Sequence, residues 1–170
     1  MKNRSGLYVH IPFCKSKCRY CDFNSFAGCE MHIVPYFSAL FKEISRFGKE
    51  YSNHSFDTIY FGGGTPSFAG AENIAKTIGV LRESFSISDD AEIAVECNPG
   101  TIDYEGFCTL RSAGVNRISL GFQAADDAML KTLGRIHSVE DARIAVLDAQ
   151  RAGIKNISLD LMYGLPDMAL

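Results

Sequence analysis

The sequence lacks the long apolar runs and the clusters of basic residues that mark two broad classes of protein. No stretch approaches the roughly 18 consecutive apolar residues that a membrane-spanning helix needs. No long Lys/Arg run is present, and the formal net charge is −3, so the chain has no general attraction for nucleic acid. We therefore expect neither a nucleic-acid partner nor stable membrane insertion.

Cysteines are scarce outside one loop, which argues against a disulfide-rich secreted domain. The chain has six cysteines in 170 residues, and three of them lie in the segment 14–21, whereas secreted scaffolds are dense in disulfides. The apolar run after the basic N-terminus is too short for a signal peptide. We expect a cytoplasmic protein. Ordinary hydrophobic content (46%) and the absence of linkers predict one domain over residues 1–170.

Short β-rich segments alternate with segments of helical periodicity along the chain. Strands are predicted at 6–11, 57–61, 91–97, 115–120 and 154–162, and helices at 31–47, 70–84, 103–113, 125–133 and 139–152. This alternation predicts an α/β fold with a parallel sheet. A closed eight-stranded barrel needs about 250 residues. We therefore expect a partial barrel, truncated after about five βα units, that is the N-terminal portion of a longer protein.

The first predicted strand is followed by a loop with the spacing Cys-x3-Cys-x2-Cys over residues 14–21. Three thiolates so close together can surround one metal centre, and the loop offers no equally obvious fourth ligand. A four-iron cluster normally takes four cysteines, so this loop could leave one iron open to another ligand. A zinc site completed by His10, Cys29 or His32, or a loop without metal, is an open alternative.

Unusual residues also lie near the carboxyl ends of the other predicted strands, where parallel α/β folds collect their ligands. They are the glycine run 62–64, Glu96, Gln123, Arg135 and Asp160. Taken singly, each is also typical of a turn, a cap or an exposed surface. Together they suit one ligand with three kinds of group. Its amino-acid part would bind an open iron and the glycine backbone, and its ribose hydroxyls would bind an acidic residue. Its carboxylate would bind an arginine. S-adenosylmethionine combines these features.

Six blocks of the sequence resemble the oxygen-independent coproporphyrinogen III oxidase group of the radical S-adenosylmethionine (SAM) family. They occur in the family's order, cover nearly the whole chain, and start at Tyr8, Phe61, Glu96, Asn116, Leu133 and Asp160. The resemblance implies a radical SAM barrel in which Cys14, Cys18 and Cys21 hold a [4Fe–4S] cluster. It implies that SAM contacts Tyr8, Tyr20, Gly63, Gly64, Thr65, Glu96, Gln123, Arg135 and Asp160.

In this family the open iron binds the methionine end of SAM. An electron from the cluster then cleaves the sulfonium into methionine and a 5′-deoxyadenosyl radical. The resemblance therefore implies an electron donor such as flavodoxin or ferredoxin. It assigns no catalytic side chain here and leaves open whether the chain forms a homodimer. We interpret Cys97 and Cys108 as buried small residues and leave Cys29 undecided.

The group has two branches, which differ just after the third cysteine. The decarboxylating oxidases have a further cysteine two residues later, whereas this chain has Phe23, as in the haem chaperone branch. The resemblance thus implies a protein that binds haem and delivers it to acceptor haemoproteins. Candidate haem ligands are His10, His32, His54 and His137, although a lone histidine is more often structural.

Two alternatives remain. One is an oxidoreductase of the coproporphyrinogen dehydrogenase type, which would decarboxylate the propionates of coproporphyrinogen III to give protoporphyrinogen IX. The other is a zinc-stabilised binding module without redox chemistry. Whether the chain is an enzyme is therefore left open.

Overall fold

Strands and helices alternate along the chain in a computed structural model, which describes residues 5–165. The elements are β1 Gly6–Ile11, β2 Phe13–Cys14, β3 Phe26–Ala27, α1 Ile33–Glu50, β4 Ser55–Gly63, α2 Ala71–Ser84, β5 Ser86–Cys97, α3 Tyr104–Ser112, β6 Arg117–Gln123, α4 Asp127–Thr132, α5 Val139–Arg151 and β7 Asn156–Leu161. Five strands form one sheet in the order β1-β4-β5-β6-β7, and every pairing is parallel. The predicted α/β class with a parallel sheet is confirmed.

The sheet is open rather than closed on itself. Within the described residues, β1 and β7 each pair with a single strand of this sheet, as expected of a partial barrel. The predicted extent of the domain, 1–170, stays a prediction, and its ends at 1–4 and 166–170 lie outside the described residues.

The two faces of the sheet differ in polarity because successive strand residues point to opposite faces. One face carries side chains that are at most 1% exposed, namely Ile59, Phe61, Ile93, Val95, Ile118 and Leu120. These pack into one core with apolar residues of α1, α2, α3 and α5. On the other face the register places Glu96 beside Ser119 and Gly121 beside Asp160. Glu96 and Asp160, which were singled out from the sequence, therefore share the face that the helices do not cover.

The helices begin and end at residues whose chemistry explains their position. Ser138 and Asp141 form a reciprocal capping box at the start of α5, and Asp126 accepts a hydrogen bond from the Met129 N–H at the start of α4. Gly114 and Gly153 follow α3 and α5 with φ of 103° and 88°, the left-handed conformation in which glycine commonly ends a helix. Among residues 5–165, no helix is both long enough and apolar enough to cross a membrane.

Strand β5 and the cysteine loop depart most from the prediction, and the bounds of the other predicted elements differ by at most three residues. Strand β5 begins at Ser86 instead of 91, because Ser86 and Ile87 pair with Ser55 and Phe56 before the register shifts. The two-residue pair β2·β3 was not predicted, and it joins the two ends of the cysteine loop.

Candidate functional site

A cavity of about 410 Å³ lies at the carboxyl ends of the strands. Ten of the twelve residues predicted for the site line it: Cys14, Cys18, Tyr20, Cys21, Gly64, Thr65, Glu96, Gln123, Arg135 and Asp160. Lys17, Phe23, Asn98 and Ser119 line it too. The structure therefore brings together most of a set that is scattered over about 150 positions of the sequence.

The two remaining predicted residues, Tyr8 and Gly63, lie beside this cavity. Tyr8 is 59% exposed and lines a separate, more apolar groove next to α1. Its hydroxyl donates to Nδ1 of His10 at 3.0 Å, because Nε2 of His10 donates to the Asn24 carbonyl at 2.8 Å. Burial, with Glu96 second, raises the pKa of Tyr8. The oxygen of Tyr8 is therefore left as an acceptor for a ligand.

The carboxylate of Glu96 is held between the glycine run and a tyrosine. Its Oε1 accepts from the Tyr60 hydroxyl at 2.7 Å and its Oε2 from the Gly63 N–H at 3.2 Å. Burial first, and then the bond to Glu96, raise the pKa of Tyr60, so this hydroxyl stays a donor at neutral pH. A side chain at Gly62 would place its Cβ 2.8 Å from the Tyr60 ring. Gly63 thus binds the Glu96 carboxylate through its N–H, and the missing side chain at Gly62 leaves room for the Tyr60 ring beside it.

A chain of hydrogen bonds links the first two cysteines of the loop. Oγ1 of Thr65 donates to Sγ of Cys14 at 3.5 Å and accepts from Nδ2 of Asn98 at 3.0 Å. Oδ1 of Asn98 accepts from Nη2 of Arg135 at 2.7 Å, and Nη1 of Arg135 donates to Sγ of Cys18 at 3.4 Å. These bonds fix the positions of two of the three sulfur atoms that are candidate metal ligands.

The guanidinium of Arg135 makes more hydrogen bonds within the protein than the sequence suggested. Its Nη2 also donates to the Gly121 carbonyl at 2.7 Å, and its Nε is buried without a partner. Since most of its donors already have protein partners, its predicted contact with a SAM carboxylate stays a prediction. Next to it, burial raises the pKa of Tyr20 to about 12, so this phenol is neutral at physiological pH.

The end of β6 carries backbone strain at a predicted site residue. Gln123 has a φ of 71°, and it is the only non-glycine residue of positive φ within the described part of the chain. Such a conformation persists where its surroundings enforce it. Nε2 of His137 donates to the Phe122 carbonyl at 3.3 Å, and the Met162 N–H donates to the Gln123 carbonyl at 3.0 Å. These two bonds hold the turn that presents the Gln123 amide.

Asp160, on the neighbouring strand β7, is oriented by one hydroxyl. Oγ of Ser119 contacts both carboxylate oxygens of Asp160, at 2.9 and 3.1 Å. A single hydroxyl leaves most of the acceptor capacity of this carboxylate available to a ligand. Glu96 and Asp160 thus offer oxygen acceptors on the same face of the sheet.

The donor set of the cysteine loop consists of free thiols. All six cysteines are free, and within residues 5–165 no three His, Cys, Asp or Glu side chains converge closely enough to hold one ion. A four-iron cluster binds each thiolate at a different iron and so spaces its ligands more widely. A Cβ on Gly64 would lie 3.0 Å from Sγ of Cys14, so only glycine lets the backbone pass this close to the proposed ligand.

The remaining cysteines and histidines differ in their burial and in their hydrogen bonding. Cys97 is 2% exposed, and burial raises its pKa to about 12, so it is an inert small residue as predicted. Cys108 is only partly buried, and our interpretation of it as a buried residue is wrong. His137 is 5% exposed, whereas both ring nitrogens of His10 are engaged. Neither histidine is placed to bind haem axially in this arrangement.

Three residues of the site, Lys17, Asn98 and Ser119, were missed by sequence reasoning. Asn98 was not predicted as a site residue, although it directly follows β5 and thus lies at the same strand end as the other polar groups. Ser119 alternates with buried neighbours on β6 and could have been found from that pattern. The partners of Lys17 are mainly backbone carbonyls, which leave no signal in a sequence.

Comparisons with known proteins agree with this geometry. The family model of the radical SAM superfamily matches residues 8–169. The haem chaperone HemW of Haemophilus influenzae is 41% identical in an alignment 170 positions long, which covers 97% of this chain and 44% of that protein. The Escherichia coli HemW is 40% identical over 166 residues, with the same coverage of 97% and 44%. The chain therefore spans less than half the length of these relatives.

A solved structure gives the same result for the fold. The coproporphyrinogen III oxidase HemN from Escherichia coli, a radical SAM enzyme, superposes with a TM-score of 0.90 at 31% identity, covering 99% of this chain and 39% of that one. Members of the superfamily use a [4Fe–4S] cluster and SAM, and the cysteine loop lies at the strand ends where these cofactors would bind. On the match over residues 8–169, this chain belongs to the radical SAM superfamily.

Proposed function

We propose that this chain is the radical SAM core of a haem chaperone, which binds a [4Fe–4S] cluster, SAM and haem and delivers haem to acceptor haemoproteins. About 40% identity to HemW proteins along nearly the whole chain supports this assignment. Its six free cysteines suit a reducing compartment such as the cytoplasm. Haem, a haemoprotein acceptor and an electron donor such as flavodoxin or ferredoxin are the proposed partners.

The observation that carries the choice of branch is Phe23. It stands two residues after Cys21, where the sequence resemblance gives the decarboxylating oxidases a further cysteine. Its ring is 68% exposed and lines the same cavity as the three cysteines. A phenyl ring cannot ligate iron, but it offers an apolar face on which a planar macrocycle can stack.

The side chains of the cavity then take the following parts. Cys14, Cys18 and Cys21 would ligate three irons of the cluster, which supplies one-electron reduction of bound SAM. Glu96 and Asp160 suit the ribose hydroxyls, because each presents acceptor oxygens on the open face of the sheet. The N–H groups and small side chains at Gly63, Gly64 and Thr65, with Tyr8 and Gln123, suit the amino-acid part.

Haem transfer by the full-length protein tests the proposal. We expect the anaerobically reconstituted protein to bind haem while keeping its cluster spectrum, and to pass haem to an apo-haemoprotein. Cys21→Ser should lose the cluster, whereas Cys29→Ser, outside the motif, should behave as the wild type. A protein that keeps its cluster and binds no haem would overturn the proposal.

An oxidase is the second candidate, because the superposition on HemN is close. Anaerobic incubation with coproporphyrinogen III, SAM and a reductant separates the two. Formation of protoporphyrinogen together with 5′-deoxyadenosine would favour the oxidase.

Metal analysis tests the third alternative, the zinc-stabilised binding module. About four irons and a brown protein would exclude it, and one zinc in a colourless protein would favour it. Light scattering would decide whether the chain forms a homodimer.

A further inference from the structure

The side chain of Lys17 crosses the cysteine loop and ties its two halves together. Its Nζ donates to the Phe23 carbonyl at 2.6 Å, to the Ser25 carbonyl at 3.3 Å and to Oγ of Ser25 at 2.8 Å. Lys17 directly precedes Cys18, and its partners follow Cys21 by two and four residues. The three bonds therefore close a ring around the segment that carries the second and third thiols.

All the partners of Lys17 are neutral oxygens. Within residues 5–165, ion pairs are made by arginines such as Arg117, Arg143 and Arg151, and Lys17 takes part in none. The bonds to Ser25 are partly buried, whereas the Lys17 side chain as a whole is exposed. An unpaired positive charge is thus fixed at the wall of the cavity that the cysteines line.

We propose that Lys17 is a positioning residue that closes the loop around the cluster and also raises the reduction potential of that cluster. The inference rests on the [4Fe–4S] cluster of the proposed function. Reduction adds one electron to a cluster that three thiolates already make anionic, and no bond forms or breaks. A fixed ammonium stabilises the more negative, reduced state more than the oxidised one, because net charge and hydrogen bonding set the potentials of these clusters.

Lys15 provides a matched control within the same loop. It carries the same charge on the other side of Ser16 and is exposed like Lys17, but it makes no hydrogen bond or ion pair to the described residues. If only the summed charge of the loop mattered, Lys15→Met and Lys17→Met would have equal effects. If the placement of the ammonium matters, only the change at Lys17 should alter the cluster.

The experiment is a redox titration of the reconstituted full-length protein with dithionite, followed by the paramagnetic signal of the reduced cluster. Iron per chain is measured first. For Lys17→Met we expect a tenfold lower ratio of reduced to oxidised cluster at a given potential, which is a downward shift of about 59 mV for one electron. We also expect iron to be lost to a chelator several-fold faster. Lys17→Arg should keep the potential, and Lys15→Met should match the wild type in both measurements.

Two results would overturn the inference: an unchanged potential in fully loaded Lys17→Met, or an equal shift in Lys15→Met. If Lys17→Met takes up no iron, Lys17→Gln decides, since its amide can donate to one carbonyl without carrying charge. A wild-type protein that takes up no iron would overturn the proposed function itself. A loaded wild type with an insensitive Lys17 would overturn only this inference.

Discussion

At the scale of single residues, His137 is packed so that a proton on its second ring nitrogen, Nδ1, would have no hydrogen-bond acceptor. Its Nε2 donates to the Phe122 carbonyl, and its Nδ1 is buried without a partner. Burial, followed by the nearby Arg135, lowers the pKa of His137. Protonation would therefore bury both a charge and an unsatisfied donor next to the turn that presents Gln123.

This packing predicts a loss of stability in mild acid. The unfolded chain takes up a proton on His137 below about pH 6.5, whereas the folded chain does not, so the free energy of unfolding falls as pH decreases. The loss approaches about 1.4 kcal/mol per pH unit until the lowered folded-state pKa is reached. Urea titrations between pH 5 and 8 should show this component in the wild type and in the exposed control His54→Gln. It should be missing from His137→Gln, and equal slopes in all three proteins would contradict the prediction.

Gly64 gives a second prediction at this scale. A Cβ there would lie 2.7 Å from the Phe13 carbonyl oxygen and 3.0 Å from Sγ of Cys14, and backbone cannot move aside cheaply. We expect Gly64→Ala to hold less than about half of the wild-type iron after reconstitution, since the loop must shift by several tenths of an ångström.

Gly79→Ala is the matched control, because nothing lies within 4 Å of the new Cβ inside helix α2. It should gain about 0.5–1 kcal/mol in the free energy of unfolding, measured in urea, and keep its iron. Full iron loading in Gly64→Ala would contradict the proposed closeness of backbone and cluster.

The residue types at the strand ends could be predicted from the sequence, but the hydrogen bonds between their side chains could not. Cysteine spacing and the positions of Glu96 and Asp160 follow from the sequence, because parallel strands end at one edge. The link from Thr65 through Asn98 to Arg135 depends on side-chain directions across three separate loops. No local pattern encodes those directions, and Tyr8 falls outside the main cavity for the same reason.

At the scale of elements, the capping box of α5 sets where the chain re-enters a helix after Arg135 and His137. Ser138→Ala removes the side-chain acceptor of the Asp141 N–H. It should cost about 1 kcal/mol in the free energy of unfolding, within the usual range of 0.5–2 kcal/mol for such caps. Ser45→Ala is the control, because this exposed hydroxyl donates only to the Phe41 carbonyl within α1. Equal costs in urea titrations of the two variants would show that the box contributes nothing special.

Elements were predictable where periodicity is strong, and their boundaries were less so. Helix α2 was expected at 70–84 and runs over Ala71–Ser84, because its apolar spacing faces the sheet. Helix α1 starts two residues later than predicted, since a 3₁₀ turn at Glu30–His32 precedes it. The first half of β5 is too polar to be recognised as a strand, and only its pairing with β4 defines it.

At the scale of the whole molecule, a bound cluster should raise the stability of the fold. The Arg19 N–H of the cysteine loop donates to the carbonyl of Leu133, the residue that follows α4, at 3.0 Å, so a ligand held by the loop binds the native arrangement and not the unfolded chain. Binding that favours the native state by about 3 kcal/mol raises the melting temperature of a chain this size by roughly 5–10 °C. Calorimetry before and after removal of iron with a chelator measures the difference. Cys21→Ser should melt at one temperature under both conditions, and a wild type that does the same would contradict the prediction.

The bond between Arg135 and Cys18 joins residues 117 positions apart, and this separation orders events during biosynthesis. At about 5–20 residues per second, on the order of ten seconds pass between synthesis of the cysteine loop and synthesis of its arginine partner. In that interval the thiols are exposed without the contacts that shape their binding site. We therefore expect cluster insertion to be post-translational for this part of the chain, and the nascent loop to be the species most exposed to oxidation.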